Sequence, residues 1–362
     1  MKEREDHIQG VTVPGGKPVG WGATVRILER LLLLGGLGLF AYLLYDLGAA
    51  SVLTNLRVVG WGIVPIVLQE ILAFIANTVG WFFAFPKPGP AVPFVSLLGA
   101  RIAGDAVNYL TPTATFGGEF VRSRMLHGYA PTTSIVASVA VAKLTQTIGL
   151  LAFVAIGVGV AVDRGLLSSS LQSGLFLGLG VFTAVLAFLL FLLRRGIFTR
   201  LFRFAQDRSG FGGPPHLGQA LQRLDRELAS LCANGDSRLV LSSASFCLGW
   251  ALGTVESYLI LWFLGLPATL ERALTIEVFT VAFNNLLFFV PLRAGTQEGA
   301  KVLVFTMLGF SPATGLAAGI LYRVRELAWA LIGLVILSRQ HIRLRAVRDA
   351  SAPAASASRE PS

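Results

Sequence analysis

The sequence predicts an all-α integral membrane protein with about six full spans plus two re-entrant helix pairs in an inverted-topology repeat. Three observations predict it. Hydrophobic residues make up 54% of the 362 and charged residues 14%, against about 25% charged in soluble domains. Several apolar runs reach the ~20 residues that a helix needs to cross a bilayer. A glycine-led charged phrase also occurs twice, as "TPTATFGGEFVRSRML" at 111–126 and "VPLRAGTQEGAKVLVF" at 290–305. Forty glycines suit this fold, because small residues let membrane helices pack closely.

Residues 1–24 read as a polar cytoplasmic N-terminus. They lack a small-residue cleavage site, so no removable signal peptide is expected and the first span serves as its own insertion signal. A first membrane repeat, 25–193, holds full spans at about 27–46, 58–85, 133–160 and 171–193. A basic cytoplasmic linker, 194–237, carries seven arginines. Within it Leu217, Leu221, Leu224, Leu228 and Leu231 recur at helical spacing, so 216–232 reads as an amphipathic helix lying on the membrane surface or packed on the bundle. A second membrane repeat, 238–338, holds spans at 239–264 and 314–337. The tail, 339–362, is basic and then low-complexity and disordered.

Regions 94–130 and 271–310 do not read as simple spans. Each has an apolar piece, a Pro-Gly break and a charged helix. Irregular backbone at membrane depth survives only where protein or a watery cavity covers it, so both are expected to dip in and return. Charge placement agrees. With the N-terminus in the cytoplasm and both regions re-entrant, every strongly basic loop falls inside, as the positive-inside rule requires, and the C-terminus is also cytoplasmic. The net charge of +10 is thus a topology signal and a contact with anionic lipid, and no nucleic-acid partner is expected. Two cysteines, Cys232 and Cys247, and four scattered histidines give no disulfide framework and no metal spacing. Nothing resembles a nucleotide-binding loop, so no cofactor is expected.

The repeat extends beyond its first phrase. With Pro112 aligned on Pro291, Glu119 falls on Glu298 and Arg122 on Lys301. "GYAPTT" (128–133) then matches "GFSPAT" (309–314), Lys143 matches Arg323, and Gln146 matches Glu326. Inverted repeats with broken helices at their interface are a transporter architecture, with the substrate near the midplane.

Ionisable groups inside a membrane read as functional by default. Glu119 and Arg122 lie three apart on one helical face, as do Glu298 and Lys301. Each pair is expected to neutralise itself, which serves substrate binding or simply stabilises a re-entrant helix. Gly117, Gly118 and Gly295 open short helices whose N-termini suit an anion. Arg122, Arg124, Arg293, Lys301, Lys143, Arg323 and Arg325 add positive charge for a headgroup phosphate. Glu119 and Glu298 are the candidate proton sites; no catalytic residue and no metal ligand is assigned. Arg101 and Asp105 are spaced to pair. Glu70 and Glu256 read as single mid-span carboxylates, either proton sites or protonated packing residues. Asn108, Asn284 and Asn285 flank the breaks and suit the capping of freed backbone groups. Trp21, Trp61 and Trp81 are expected in the interfacial belt.

"GGEFVR" followed by "RML", and "GTQEGA" followed by "RVRELA", resemble the two motifs of the lysylphosphatidylglycerol synthase transmembrane-domain family, also described as flippase-like. The resemblance covers about 25–338. It implies a multi-pass protein of the bacterial cell (inner) membrane, with a membrane lipid, anionic or amphipathic, as substrate and lipid-synthesis proteins as further partners. On the family pattern Glu119, Arg122, Glu298 and Arg323 would be the functional positions. The family's best-known context is the membrane half of a lipid aminoacylase that moves its product outward; no aminoacyltransferase domain is visible in these residues. The Gln-Glu-Gly form and "RVREL" resemble its hopanoid-associated branch. Three readings follow: a lipid translocator or flippase, an intramembrane enzyme acting on a lipid headgroup or polyprenyl phosphate, and a non-transporting scaffold for lipid synthesis. Lipid identity, direction, energy source and oligomeric state stay open.

Overall fold

The computed structural model describes residues 49–86, 92–110, 116–165, 169–209, 237–286 and 295–351, with single positions at 42, 45, 222, 225 and 226. Among them no strand forms beyond one isolated bridge, His127 to Ala130. Twelve helices are used below: α1 Ala49–Val59, α2 Ile63–Leu68, α3 Glu70–Phe83, α4 Phe94–Leu110, α5 Phe116–Met125, α6 Thr132–Asp163, α7 Ser169–Arg194, α8 Ile197–Ser209, α9 Ser237–Phe263, α10 Leu270–Leu286, α11 Thr296–Met307 and α12 Pro312–Ser351.

Three helical stretches are long and apolar enough to cross a membrane: Leu53–Phe83, Thr132–Asp163 and Ser237–Phe263. They coincide with the spans expected at 58–85, 133–160 and 239–264. The expected 171–193 falls within α7, and 314–337 within α12, whose apolar face is interrupted by Arg323, Arg325 and Glu326. Nearly all of the first span, 27–46, and of the helix expected at 216–232 lies outside the described residues. The bundle's outside is oily: Leu72, Ile75, Val136, Ile156, Phe176, Phe188, Leu248, Trp262, Leu303 and Leu331 are all exposed. Soluble proteins avoid such contiguous apolar surface; lipid tails accept it. This is a helical membrane protein.

Each interrupted region holds two helices in contact. α4 and α5 pack together, as do α10 and α11. α5 approaches α4 so closely that a methyl group on Gly118 would lie 2.2 Å from the Gly104 carbonyl oxygen. Asn108, at the end of α4, accepts the Gly118 N–H at 2.7 Å, so it caps the first turn of α5 from across the break. The segments after the two pairs are alike too. Gly128 and Gly309 have φ of +97° and +81°, the left-handed region in which glycine is least strained. Each is followed by a proline, Pro131 or Pro312, that starts the next long helix.

The long helices cross over. α12 packs on α4, and α6 packs on α10. At these crossings Gly333 lies against Ile102 and Ala106, and Gly157 against Val278. α3 and α9 pack on each other, with Gly80 against Phe246 and Gly249 against Asn77. The two largest apolar clusters surround the helix pairs. One gathers Trp81, Phe85, Leu97, Leu126, Ile135, Val141 and Phe246 around the first helix pair. The other gathers Ile66, Ile260, Ile276, Phe279, Val304, Phe305, Leu321 and Tyr322 around the second.

The linker holds one amphipathic helix that composition did not point to. α8 carries Arg200, Arg203 and Arg208 beside Ile197, Leu201, Phe202 and Phe204. Asp225 accepts the Thr199 N–H at 2.7 Å, which caps the first turn of α8 and places an anion at its positive end.

Candidate functional site

The first helix pair builds a chain of charges. Arg101 on α4 donates through Nε to Asp105 at 3.1 Å. Asp105 also accepts from Nη2 of Arg122 on α5. Arg122 gives its Nη1 to both oxygens of Glu119 at 2.8 Å. Glu119 then meets Lys143 on α6, with Nζ 3.3 Å from Oε1. Both guanidiniums are buried and lie near aromatic rings, Arg101 at 5.5 Å from Phe246 and Arg122 at 5.9 Å from Trp81. The ring's negative face stabilises a cation that has left water. Three cations serve two carboxylates here, so the cluster carries a positive surplus. Its outer end is open: the Lys143 side chain is 48% exposed.

The second pair repeats the scheme with a change of partner. Glu298, at the start of α11, accepts on Oε1 from Nε and Nη2 of Arg323 on α12, at 2.9 and 2.6 Å. It does not pair with Lys301. Arg323 holds two N–H groups in one rigid planar fork, whereas the ammonium is a point charge on a flexible stem, and the fork takes the carboxylate in place of the residue three positions on. Lys301 turns instead to Glu277 on α10, 4.0 Å away, and sits 3.3 Å from the centroid of the Tyr322 ring. The two copies therefore share one pattern. In each, the glutamate meets the basic residue of the following long helix (Lys143 or Arg323), and the next basic residue (Arg122 or Lys301) faces an acid on the preceding helix.

A third group adjoins the second. Arg325 bridges Glu70 on α3 and Glu256 on α9, with Nε 2.9 Å from Glu256 Oε1. Glu277 accepts hydrogen bonds from Ser257 at 3.0 Å and Tyr322 at 2.8 Å. Glu326, next to Arg325, points elsewhere and accepts from Gln297 at 3.0 Å. The two halves meet where Arg323 Nη1 donates to the Tyr109 hydroxyl of α4 at 2.9 Å.

Glu119, Arg122 and Lys143 thus come together, as do Glu298 and Arg323, with Lys301 and Arg325 around Tyr322. Gly118 is buried at the α4–α5 contact, and Gly117 stands beside it, half-buried. Gly295, buried at φ +72°, opens α11 and its carbonyl accepts the Gly299 N–H at 2.8 Å. Arg124 is exposed and apart from the cluster. Arg293 lies outside the described residues. Glu70 and Glu256 are not lone carboxylates, because Arg325 reaches both. Trp81 is not a belt residue: it is buried, donates to Ser138 at 3.2 Å and backs Arg122, while Trp61 is exposed. Trp21 lies outside the described residues. Among the asparagines, Asn285 donates to the Val281 carbonyl at 2.8 Å. Sequence reasoning missed Glu277, Ser257, Tyr322 and Tyr109. Glu277 was findable, as an ionisable residue inside the apolar run "TIEVFTVAF". The hydroxyls carried no such signal.

The family described as lysylphosphatidylglycerol synthase TM region matches residues 27–335. No curated protein and no solved structure matches the chain.

Proposed function

The chain belongs to the lysylphosphatidylglycerol synthase TM-region family, and from that premise we propose that it is a lipid translocator. In this reading it moves an amphipathic lipid, a phospholipid or a hopanoid, between leaflets through a polar path at the interface of two inverted repeats. Both termini are cytoplasmic and the membrane is the inner membrane of a bacterial cell. Catalysis of a covalent change is not part of the proposal.

One observation carries it: the same carboxylate–cation arrangement is built twice, and the two copies differ in access. Lys143 and Glu119 are 48% and 17% exposed; their counterparts Arg323 and Glu298 are 19% and 3% exposed. One half-site reachable and one sealed is what alternation between two faces requires. The positive surplus of Arg101, Arg122 and Lys143 over Asp105 and Glu119 suits an anionic headgroup. The headgroup would displace Glu119 from Lys143 and Arg122 while its tails stay in the bilayer.

The test is reconstitution in liposomes with head-labelled lipids, following bleaching of outer-leaflet label by an impermeant reductant. The wild type is expected to bleach label beyond the outer leaflet, and Glu119→Gln/Glu298→Gln to lose that excess. Full activity in the double variant would sink the mechanism. Mass spectrometry of the same lipid separates the runner-up, since a change of lipid mass means an intramembrane enzyme. Retained cellular function with neutral residues at both glutamates would instead favour a scaffold.

A further inference from the structure

The group around Arg325 and Lys301 does not balance. Glu70, Glu256 and Glu277 supply three carboxylates, and Arg325 and Lys301 supply two cations. All five come from different helices or turns of the bundle interior. Glu256 is 1% exposed and Lys301 0%. The Lys301 ammonium makes no hydrogen bond to the described residues, although it is wholly buried and aimed into the group. An unmatched carboxylate in a low-dielectric interior costs far more than a neutral acid. The group therefore holds one cation more than its side chains supply, and the smallest such cation is a proton.

We propose that Glu256 is an exchangeable proton site, and that its occupancy is coupled to lipid movement. This rests on the translocator reading and gives it an energy source. Glu256 is the acid with the weakest claim to a charge. Glu277 accepts from Ser257 and Tyr322 and faces Lys301, so its carboxylate already has three partners. Glu70 is the most exposed of the three and shares Arg325 with Glu256. Among the described residues, the charged and titratable groups facing Glu256 are Glu70 on α3, Glu277 on α10, Lys301 on α11, and Tyr322 and Arg325 on α12. α6 meets α9 through Thr145, Gly149 and Phe153, α2 has no titratable residue, and Arg57 on α1 is exposed. Glu119 and Glu298, the acids singled out by the repeat, are each matched by cations. Release breaks the Glu256 O–H bond and passes the proton to water by the Glu70 side; uptake reverses it. An anionic headgroup nearby adds negative charge and so strengthens proton binding, and by linkage the proton strengthens headgroup binding.

The experiment is infrared spectroscopy of the full chain in lipid nanodiscs at neutral pH, reading the deuterium-sensitive carbonyl stretch of a protonated carboxylic acid. The wild type should show that band and Glu256→Gln should lose it. Glu277→Gln should lose it too, although Glu256 is still present, because two acids then face two cations. Lys301→Met should strengthen it by a second neutral acid. These two variants decide the matter if Glu256→Gln does not fold. No band in the wild type, a band that persists in Glu256→Gln, or a band indifferent to both neighbours overturns the proposal. A band that obeys all three variants without lipid movement in liposomes keeps the proton site and overturns the translocator instead.

Discussion

Glu298 and Arg323, 25 positions apart, are joined by two hydrogen bonds onto a single carboxylate oxygen, at 2.6 and 2.9 Å. The carboxylate is almost wholly buried, so it depends on that guanidinium for its charge. Removing one partner of a buried pair costs roughly 3–5 kcal/mol, while removing both is often nearly neutral. Arg323→Met is therefore expected to destabilise strongly, and Arg323→Met/Glu298→Gln to recover most of the loss. Unfolding in bicelles, run as a double-mutant cycle, measures this. A double variant as unstable as the worse single one would mean the pair is not the unit of stability.

Arg325 serves carboxylates on two helices, Glu70 of α3 and Glu256 of α9. A lysine has one point of charge and reaches one of them well. Arg325→Lys should lose about one charged hydrogen bond, roughly 1.5–3 kcal/mol, and should loosen the α3–α9 contact. Hydrogen exchange of the two helices, compared with the wild type, reads this directly. Unchanged protection in both would show that a single carboxylate suffices.

The spans that the sequence marks most clearly are those whose whole length is apolar, and 58–85, 133–160 and 239–264 return as membrane-length helices. The repeat was legible for a different reason: rare charged residues at fixed offsets stand out against leucine and alanine. What spacing could not supply is the choice of partner. Lys301 is one helical turn from Glu298, so local geometry favours that pair. The winning partner, Arg323, lies on a helix whose position is set by tertiary packing. The same holds for Trp81: its place near a span end suggests the interface, whereas the crossing of α5 and α6 buries it against Arg122 and Ser138.

Glycines of similar appearance should differ sharply. A methyl at Gly118 would lie 2.2 Å from the Gly104 carbonyl and 2.4 Å from the Asn108 amide, backbone and a capping side chain that cannot both move. Gly118→Ala should therefore part α5 from α4 and abolish lipid movement. At Gly159, on α6, nothing lies within 4 Å, and alanine there removes the entropic cost of a helical glycine, worth roughly 0.5–1 kcal/mol. Gly159→Ala should be as active as the wild type and slightly more stable. Thermal unfolding beside the bleaching assay separates the two cases; an active Gly118→Ala would show that the first helix pair need not stay closed.

The inverted-repeat reading makes its sharpest claim at two short turns. Tyr129 follows the first helix pair and Ser311 the second, one position apart in the matching phrases "GYAPTT" and "GFSPAT", and both are exposed. If the first pair enters and leaves from the cytoplasm and the second from outside, the two turns lie on opposite faces. Each lies one or two positions after a positive-φ glycine with open space around it, so a cysteine fits at either; at Ser311 it weakens the cap that Oγ gives the Thr314 N–H at 3.1 Å. With Cys232 and Cys247 replaced by serine, the Ser311→Cys thiol should react with an impermeant maleimide applied to intact cells. The Tyr129→Cys thiol should react only after the membrane is opened. Labelling of both from the same side would make the halves parallel. Alternation between two half-sites would then need a different symmetry, and the shared ion-pair pattern would be a packing device for burying charged helices rather than a pair of entrances.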